Sequence, residues 1–208
     1  MRRPAFIARQ SGNPSGVIGR IIATIMEHET ANDNAAAIEL LALRPAERIL
    51  DLGCGHGRSL PRLADEVPQG SVSGVDHSAL MLERARRRCA RLVRSRRVVL
   101  QRCDAARLPF EDGAFDAVLS VHTIYFWPDP AAQLREIHRV LRAGGRLALG
   151  LRFASDAASR SFPASVYRFH SEEQVRALLE GAGFVDVRRA PASGLRDGVA
   201  LLHAIRGS

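Results

Sequence analysis

The sequence contains no lysine: all 30 of its basic residues are arginine. Only three cysteines occur, Cys54, Cys89 and Cys103, and no two form a Cys-x-x-Cys pair. An odd, scattered set of this kind builds neither a disulfide framework nor a structural zinc site, so no metal is expected. The thiols are expected to be reduced and packed as small apolar groups. No stretch approaches the ~20 continuous apolar residues that a membrane span needs. Met1-Arg2-Arg3-Pro4 is basic, yet neither a long apolar run nor a small-residue cleavage site follows it. A secretory leader is therefore not expected, and the cytoplasm is the default location. Internal repeats and low-complexity tracts are also missing.

What remains is an ordinary globular composition, 46% hydrophobic and 25% charged over 208 residues, enough for one domain with a sizeable core. The formal net charge of +8 would suit nucleic acid, anionic lipid or an acidic substrate. Dispersal of the arginines along the whole chain favours solvated faces instead. The densest run extends from Arg84 to Arg97. Leu82, Ala85, Cys89 and Leu92 keep one face of that segment apolar, which puts the arginines on its solvent side. An anionic partner is the second reading of the run.

The chain divides near residue 45. Residues 1–45 read as a loose arm followed by a helical lid. Val17, Ile18, Ile21, Ile22, Ile25 and Met26 form one apolar stripe over 16–28, and a second helix is expected over 33–43, stopped by Pro45. Residues 46–208 read as one globular unit in which strand and helix alternate. Strands are expected at Arg48–Leu52, Ser71–Val75, Arg97–Gln101, Phe115–Val121 and Arg146–Leu151. Helices are expected at Gly57–Asp65, at Ser78–Val93 with Ser78 as cap, and at Pro130–Leu141. This predicts an α/β fold with a doubly wound, mainly parallel, Rossmann-like sheet. A helix from Ser171 to Glu180 opens on a Ser171–Gln174 capping box. Strands at Phe184–Val187 and Ala200–Ile205 follow with no helix between them, so the seven-stranded sheet should end in an antiparallel hairpin.

The chemistry concentrates at the end of the first strand. Asp51 precedes Gly53-x-Gly55-x-Gly57, and a helix follows, which is the geometry of a nucleotide site. Asp76 ends the second strand nineteen residues beyond Gly57, a spacing that suits a carboxylate accepting hydrogen bonds from ribose hydroxyls. A dinucleotide is one candidate, but its pyrophosphate favours Gly-x-Gly-x-x-Gly and would be repelled by Asp51. A cofactor with a cationic methionine end would instead gain from that carboxylate.

The run Ile49 to Gly57 resembles the first motif of class I S-adenosylmethionine-dependent methyltransferases. Val75-Asp76-His77-Ser78 is similar to their second motif. Cys103-Asp104-Ala105 with Leu108 to Asp112, Phe115 to Val118, and Glu136 to Leu147 resemble later motifs in the same order. Thr123 to Pro130 is most similar to small enzymes of the ubiquinone and menaquinone C-methyltransferase kind. The resemblance covers about residues 46–151. It implies that S-adenosylmethionine is the cofactor and leaves as S-adenosylhomocysteine. It also implies that Asp51, Gly53, Cys54 and Gly55 border the methionine moiety, that Asp76 holds the ribose and that His77 lies against the adenine face. Asp104 and Ala105 would then hold the adenine edge, and Ser120 would offer a carbonyl to the methionine ammonium.

Methyl transfer is an in-line displacement in which the protein mainly aligns donor and acceptor. A base is needed only when the acceptor must lose a proton. His122, just past the fourth strand, is the candidate catalytic base; a polar pocket wall is its other reading. His56, in the loop, is a lesser candidate. Tyr125 and Trp127, with Phe126, form an aromatic cluster that could wall a substrate pocket or plug the helix packing. Tyr167 and His170 could form the opposite wall, with Met26 on the lid. The expected partner is a small-molecule acceptor. RNA, a phospholipid headgroup or membrane surface, and a non-catalytic cofactor-binding subunit are the alternatives. No appended RNA-binding domain is visible, and the cofactor motif is intact. The sequence is silent on the oligomeric state.

Overall fold

The structure, a computed structural model, describes residues 30–191 and 194–207. The helix expected over 16–28, including Met26, lies outside the described residues. The described chain begins with helix α1 (Ala31–Leu40) and continues through β1 (Arg48–Leu52), α2 (Ser59–Glu66), β2 (Ser71–Asp76), α3 (Ala79–Arg88), α4 (Ala90–Arg94), β3 (Val98–Arg102) and β4 (Phe115–Val121). Then come α5 (Pro130–Val140), β5 (Leu141–Arg152), α6 (Glu172–Gly181), β6 (Phe184–Arg189) and β7 (Val199–Arg206).

The seven strands form one sheet in the order β3-β2-β1-β4-β5-β7-β6. β3, β2, β1, β4 and β5 run parallel, whereas β7 is antiparallel to both β5 and β6. Successive side chains of a strand point to opposite faces. Ile49 of β1, with Ala117 and Leu119 of β4, therefore packs with Leu60, Leu63 and Leu82 on one face. Leu50 and Val118 pack with Leu134, Ile137 and Val140 on the other. Burial on both faces explains why β1 and β4 read as nearly continuous apolar runs rather than alternating ones.

Several boundaries differ from expectation, each for a local reason. α1 stops at Leu40 instead of reaching 43, and Ala42 turns to a φ of 44°. The helix expected over 78–93 breaks in two at Cys89, whose φ of −100° and ψ of 22° leave the helical region. The buried Cys89 thiol reaches back to the Gly57 carbonyl at 3.7 Å, which ties the break to the glycine loop. Ser78 does cap α3, its Oγ accepting from Met81 N at 3.4 Å. β5 starts at Leu141, five residues early, because Leu141 already pairs with Phe115 before the register shifts. The capping box at Ser171 and Gln174 is present. Arg86, Arg87, Arg88, Arg91, Arg94 and Arg96 are exposed, as the apolar pattern predicted. Arg97 is not part of that solvated set: its Nη2 donates to the carbonyls of Ala64 (2.8 Å) and Val67 (2.7 Å) and so closes the end of α2. No helix among the described residues is long and apolar enough to cross a membrane.

Candidate active site

The glycine loop between β1 and α2 lies at the carboxyl edge of the sheet, where ligands of open α/β sheets bind. Its course is set by backbone bonds: the amides of Gly53 and Cys54 both donate to the Val75 carbonyl, at 2.8 and 3.0 Å. Gly53 has a φ of +76°, and a Cβ there would stand 2.3 Å from Thr123 Cγ2. Gly55 has a φ of +54°, but a Cβ there would meet nothing within 4 Å. Gly53 is thus required by a close approach, whereas Gly55 turns bare backbone toward open space that a ligand can enter.

Two carboxylates flank this loop. Asp51 is 3% exposed, and the Ser59 hydroxyl donates to its Oδ2. Burial pushes its carboxyl up to about 7; Asp76 adds to the rise and the Ser59 bond opposes it. Asp76 accepts from Gly55 N at 3.0 Å through Oδ2 and from Ser78 N at 2.8 Å through Oδ1. Burial raises its pKa as well, against these bonds. A buried and a largely buried acid beside one cavity form a site that a cation would relieve.

The inner cavity, about 160 Å³, is lined by Asp51, Gly53, Cys54, Gly55, Asp76 and His77 among the expected cofactor residues. Ala105 also lines it, and so do His56 and Phe126. Thr123, the first residue of the Thr123–Pro130 resemblance, lines it, and so does Arg58, for which the sequence carried no signal. Cys54 is buried, and burial pushes its thiol well up. An outer cavity of about 790 Å³ adjoins the inner one, sharing His77, Cys103, Ala105, Phe126 and Trp127 as walls. Asp104 lines only the outer cavity. It is exposed, and its Oδ1 accepts from Ala106 N at 2.9 Å in a tight turn.

The expectation for Ser120 concerned its backbone carbonyl, and its side chain is spent in the core. It is 0% exposed, and its hydroxyl donates to the Leu52 carbonyl at 3.2 Å and bonds with Thr123 Oγ1 at 2.6 Å. It lines neither cavity; Val121, His122 and Thr123 form the wall at this point. β4 continues past Ser120 to Val121 and carries that side chain into the core.

His122 borders the inner cavity, but its ring nitrogens are engaged inside the protein. Nε2 lies 2.8 Å from Asp33 Oδ2, and Nδ1 lies 3.1 Å from the Tyr125 hydroxyl. Asp33, 0% exposed at the start of α1, also accepts from Arg196 Nε at 2.7 Å and from Arg196 N at 3.2 Å. Burial alone would raise Asp33; hydrogen bonds from His122 and Arg196 outweigh it and bring the pKa down to about 2. Burial lowers His122, with Asp33 opposing. Nε2 also lies 3.0 Å from Arg196 Nη2; with Nε2–H donating to Asp33 and Nδ1 accepting from Tyr125 the ring is neutral. In this arrangement neither nitrogen faces an acceptor, and the cluster joins α1, the β4 exit and the loop before β7.

Of the aromatic candidates, Trp127 stands in the walls of both cavities. Tyr125 and Tyr167 do not line either one. Tyr125 is 4% exposed, accepts from Arg152 N through its hydroxyl and stacks among Phe126, Tyr167 and Phe169. Tyr167 packs parallel to Phe169 and against Phe162. Tyr125 and Tyr167 thus plug the core behind a wall that Phe126 and Trp127 form. His170 also lies outside both cavities, its carbonyl accepting from Ala154 N at 2.8 Å.

Residues 50–149 match the family profile described as a methyltransferase domain. A demethylmenaquinone methyltransferase from Thermus thermophilus is 32% identical over 175 residues, which is 71% of this chain and 79% of that protein. A 27-O-demethylrifamycin SV methyltransferase from Amycolatopsis mediterranei is 40% identical over 111 residues, 53% of this chain and 40% of its own length. The alignments span about a third to two fifths of two curated relatives at 40–44% identity. Among solved structures, the cyclase SpnF superposes with a TM-score of 0.72 at 23% identity, covering 85% of this chain and 80% of that one. At that identity the likeness shows the fold alone.

Proposed function

Because the chain belongs to the class I S-adenosylmethionine-dependent methyltransferases, we propose that it transfers a methyl group from S-adenosylmethionine to a small molecule. The observation that carries the reading is the pairing of two acids, the buried Asp51 and the largely buried Asp76, beside the open backbone of Gly55. That set fits a ligand with a cationic methionine end and a ribose. Asp51 would face the cationic end. Asp76 would exchange the Gly55 amide for ribose hydroxyls, and His77, Asp104 and Ala105 would bracket the base. Once held there, the sulfonium supplies an activated methyl group for in-line displacement. The protein's own part is to hold the donor, to align the acceptor and to exclude water.

The commitment of His122 to Asp33 and Tyr125 bears on the acceptor. We assign His122 a positioning role in place of a base, which favours acceptor atoms that are already nucleophilic near neutral pH. Relatives named for a demethylmenaquinone and a demethylrifamycin support a small-molecule acceptor. The test is calorimetric binding of S-adenosylhomocysteine, followed by a methyl-release assay over metabolite, lipid and RNA acceptors. Binding with turnover on a metabolite is expected. Absence of binding would refute the reading, and binding without turnover on any acceptor would favour a non-catalytic subunit.

A further inference from the structure

Nine arginines lie between Arg84 and Arg102 with no acidic residue among them, while the other 21 are offset by all 22 acids of the chain. The whole positive excess of the protein, +8, therefore sits in this one stretch. The stretch runs from the second half of α3 through α4 into β3, an edge strand of the sheet. Arg86, Arg87, Arg88, Arg91, Arg94 and Arg96 are exposed on it. Packing explains why they point outward, because Leu82, Ala85 and Cys89 are buried beneath them. It does not explain why so little neutralises them. Arginines elsewhere on the surface are paired: Arg62 with Glu39, Arg139 with Asp112, Arg142 with Asp116 and Arg188 with Asp186. Within the stretch Arg87 pairs with Glu83, one turn back. Arg86, Arg91, Arg94 and Arg96 have no ion pair among the described residues. Crowded like charges oppose folding, and an anionic partner relieves them.

What else the surface carries decides which anion fits. Val99 is the one large apolar side chain exposed on it, and no Phe, Tyr or Trp occurs between Ser78 and Pro109. A protein interface centres on apolar and aromatic anchors, and a surface that lies in a bilayer inserts them. A phosphodiester backbone asks only for positive charge and N–H donors, which guanidinium groups supply in pairs. The lack of aromatic rings also removes the stacking platform on which single strands are held. We propose that the surface formed by the end of α3, α4 and β3 binds duplex nucleic acid through its phosphates, without reading the bases. Of the nine arginines only Arg102 reaches a cavity wall, and its Nε donates to the His77 carbonyl at 2.9 Å. Binding on this surface requires neither the methyl donor nor methyl transfer.

The test is fluorescence anisotropy of the full chain with labelled DNA duplexes of about 20 base pairs, in two unrelated sequences, over a range of salt concentrations. Binding at low salt is expected, equal within twofold for the two sequences. Neutralising about four to six phosphates should make log K fall with log salt at a slope of about −3.6 to −5.4. Arg86→Gln, Arg91→Gln, Arg94→Gln and Arg96→Gln together should weaken binding at least thirtyfold and flatten the slope. A control with the same loss of charge, Arg44→Gln, Arg135→Gln, Arg160→Gln and Arg168→Gln, should weaken it less than threefold. Both variants should melt close to wild type, since exposed substitutions of this kind usually cost within about 0.5 kcal/mol each. No binding at low salt, or equal loss in the two variants, overturns the proposal. So does a tenfold preference between the sequences, which would mean that bases are read. Tighter binding of poly-glutamate, or of phosphatidylcholine vesicles one-third phosphatidylserine, would assign the surface to an acidic protein or a membrane and also overturn it. The salt slope is read on wild type alone, so a slope shallower than about −2 refutes the proposal even where a variant fails to fold.

Discussion

Binding of S-adenosylhomocysteine should tighten about tenfold between pH 6 and pH 8, through Asp51. Burial holds that carboxyl at a pKa of about 7 in the ligand-free protein. A ligand ammonium beside it needs the ionised form. About a tenth of the molecules carry that form at pH 6 and about nine tenths at pH 8, a difference worth about 1.4 kcal/mol. Close to one proton should therefore leave on binding at pH 6, readable by calorimetry in buffers of different ionisation heat. The ligand-free fold should move the opposite way. A carboxyl whose pKa rises on folding contributes stability that is complete below its ordinary value of 3.8 and is lost as the pH rises through about 7. Between pH 6 and 8 that loss is also about 1.4 kcal/mol. Asp51→Asn should flatten both profiles and abolish the proton release, which ties both effects to Asp51. If wild type and Asp51→Asn give parallel affinity profiles, or no proton leaves at pH 6, the assignment of Asp51 to the cationic end of the ligand is wrong.

Asp76→Ala should weaken S-adenosylhomocysteine binding at least tenfold, on the order of 1.4 kcal/mol, by isothermal calorimetry; an unchanged affinity would remove Asp76 from the ribose. Gly53→Ala should cost about 1–3 kcal/mol in thermal or urea melts because it combines a positive φ with a 2.3 Å approach to Thr123 Cγ2. Adding Thr123→Ser, which removes that methyl and keeps the hydroxyl bonded to Ser120, should recover part of the loss. If the double variant is no better than the single one, the contact is not the cause. Asp33→Ala should cost about 3 kcal/mol, since it leaves Arg196 and His122 without their shared acceptor. Asp33 lies below its ordinary value, so its contribution is present above about pH 4 and lost as the pH falls toward 2. An Asp33→Asn variant with the same acid denaturation curve as wild type would contradict that.

Much of the fold was legible because its signals are local. A buried parallel strand reads as an apolar run, as in β1 and β4. Ser78 and the pair Ser171 and Gln174 announce helix starts, and the lack of a helix between β6 and β7 implies an antiparallel pairing. Boundaries were lost where a distant partner intervened. The thiol of Cys89 bonds across to Gly57, and Leu141 pairs with Phe115 before the strand proper begins. The placement of the proposed cofactor residues was likewise readable, since Asp51, the glycines and Asp76 lie at or beside strand ends with fixed spacing.

The acceptor half obeyed no local rule. Tyr125, Tyr167 and His170 are as polar or aromatic as Phe126 and Trp127, yet of these five only Phe126 and Trp127 reach a cavity, because packing among rings from separate segments decides which ones face outward. His122 reads as a free base until Asp33 and Arg196, 89 and 74 residues away, close around its ring. Gln133 reads as an ordinary polar helix residue until the tertiary structure leaves it 2% exposed, its Oε1 without a donor among the described residues. Spacing along one strand–loop–helix unit thus determined where the glycine loop and its carboxylates stand, since backbone geometry there depends mainly on neighbouring residues. Which side chains are spent inside the protein, and which are left to a ligand, was decided only by the tertiary structure, because hydrogen-bond satisfaction depends on contacts between segments far apart in the chain.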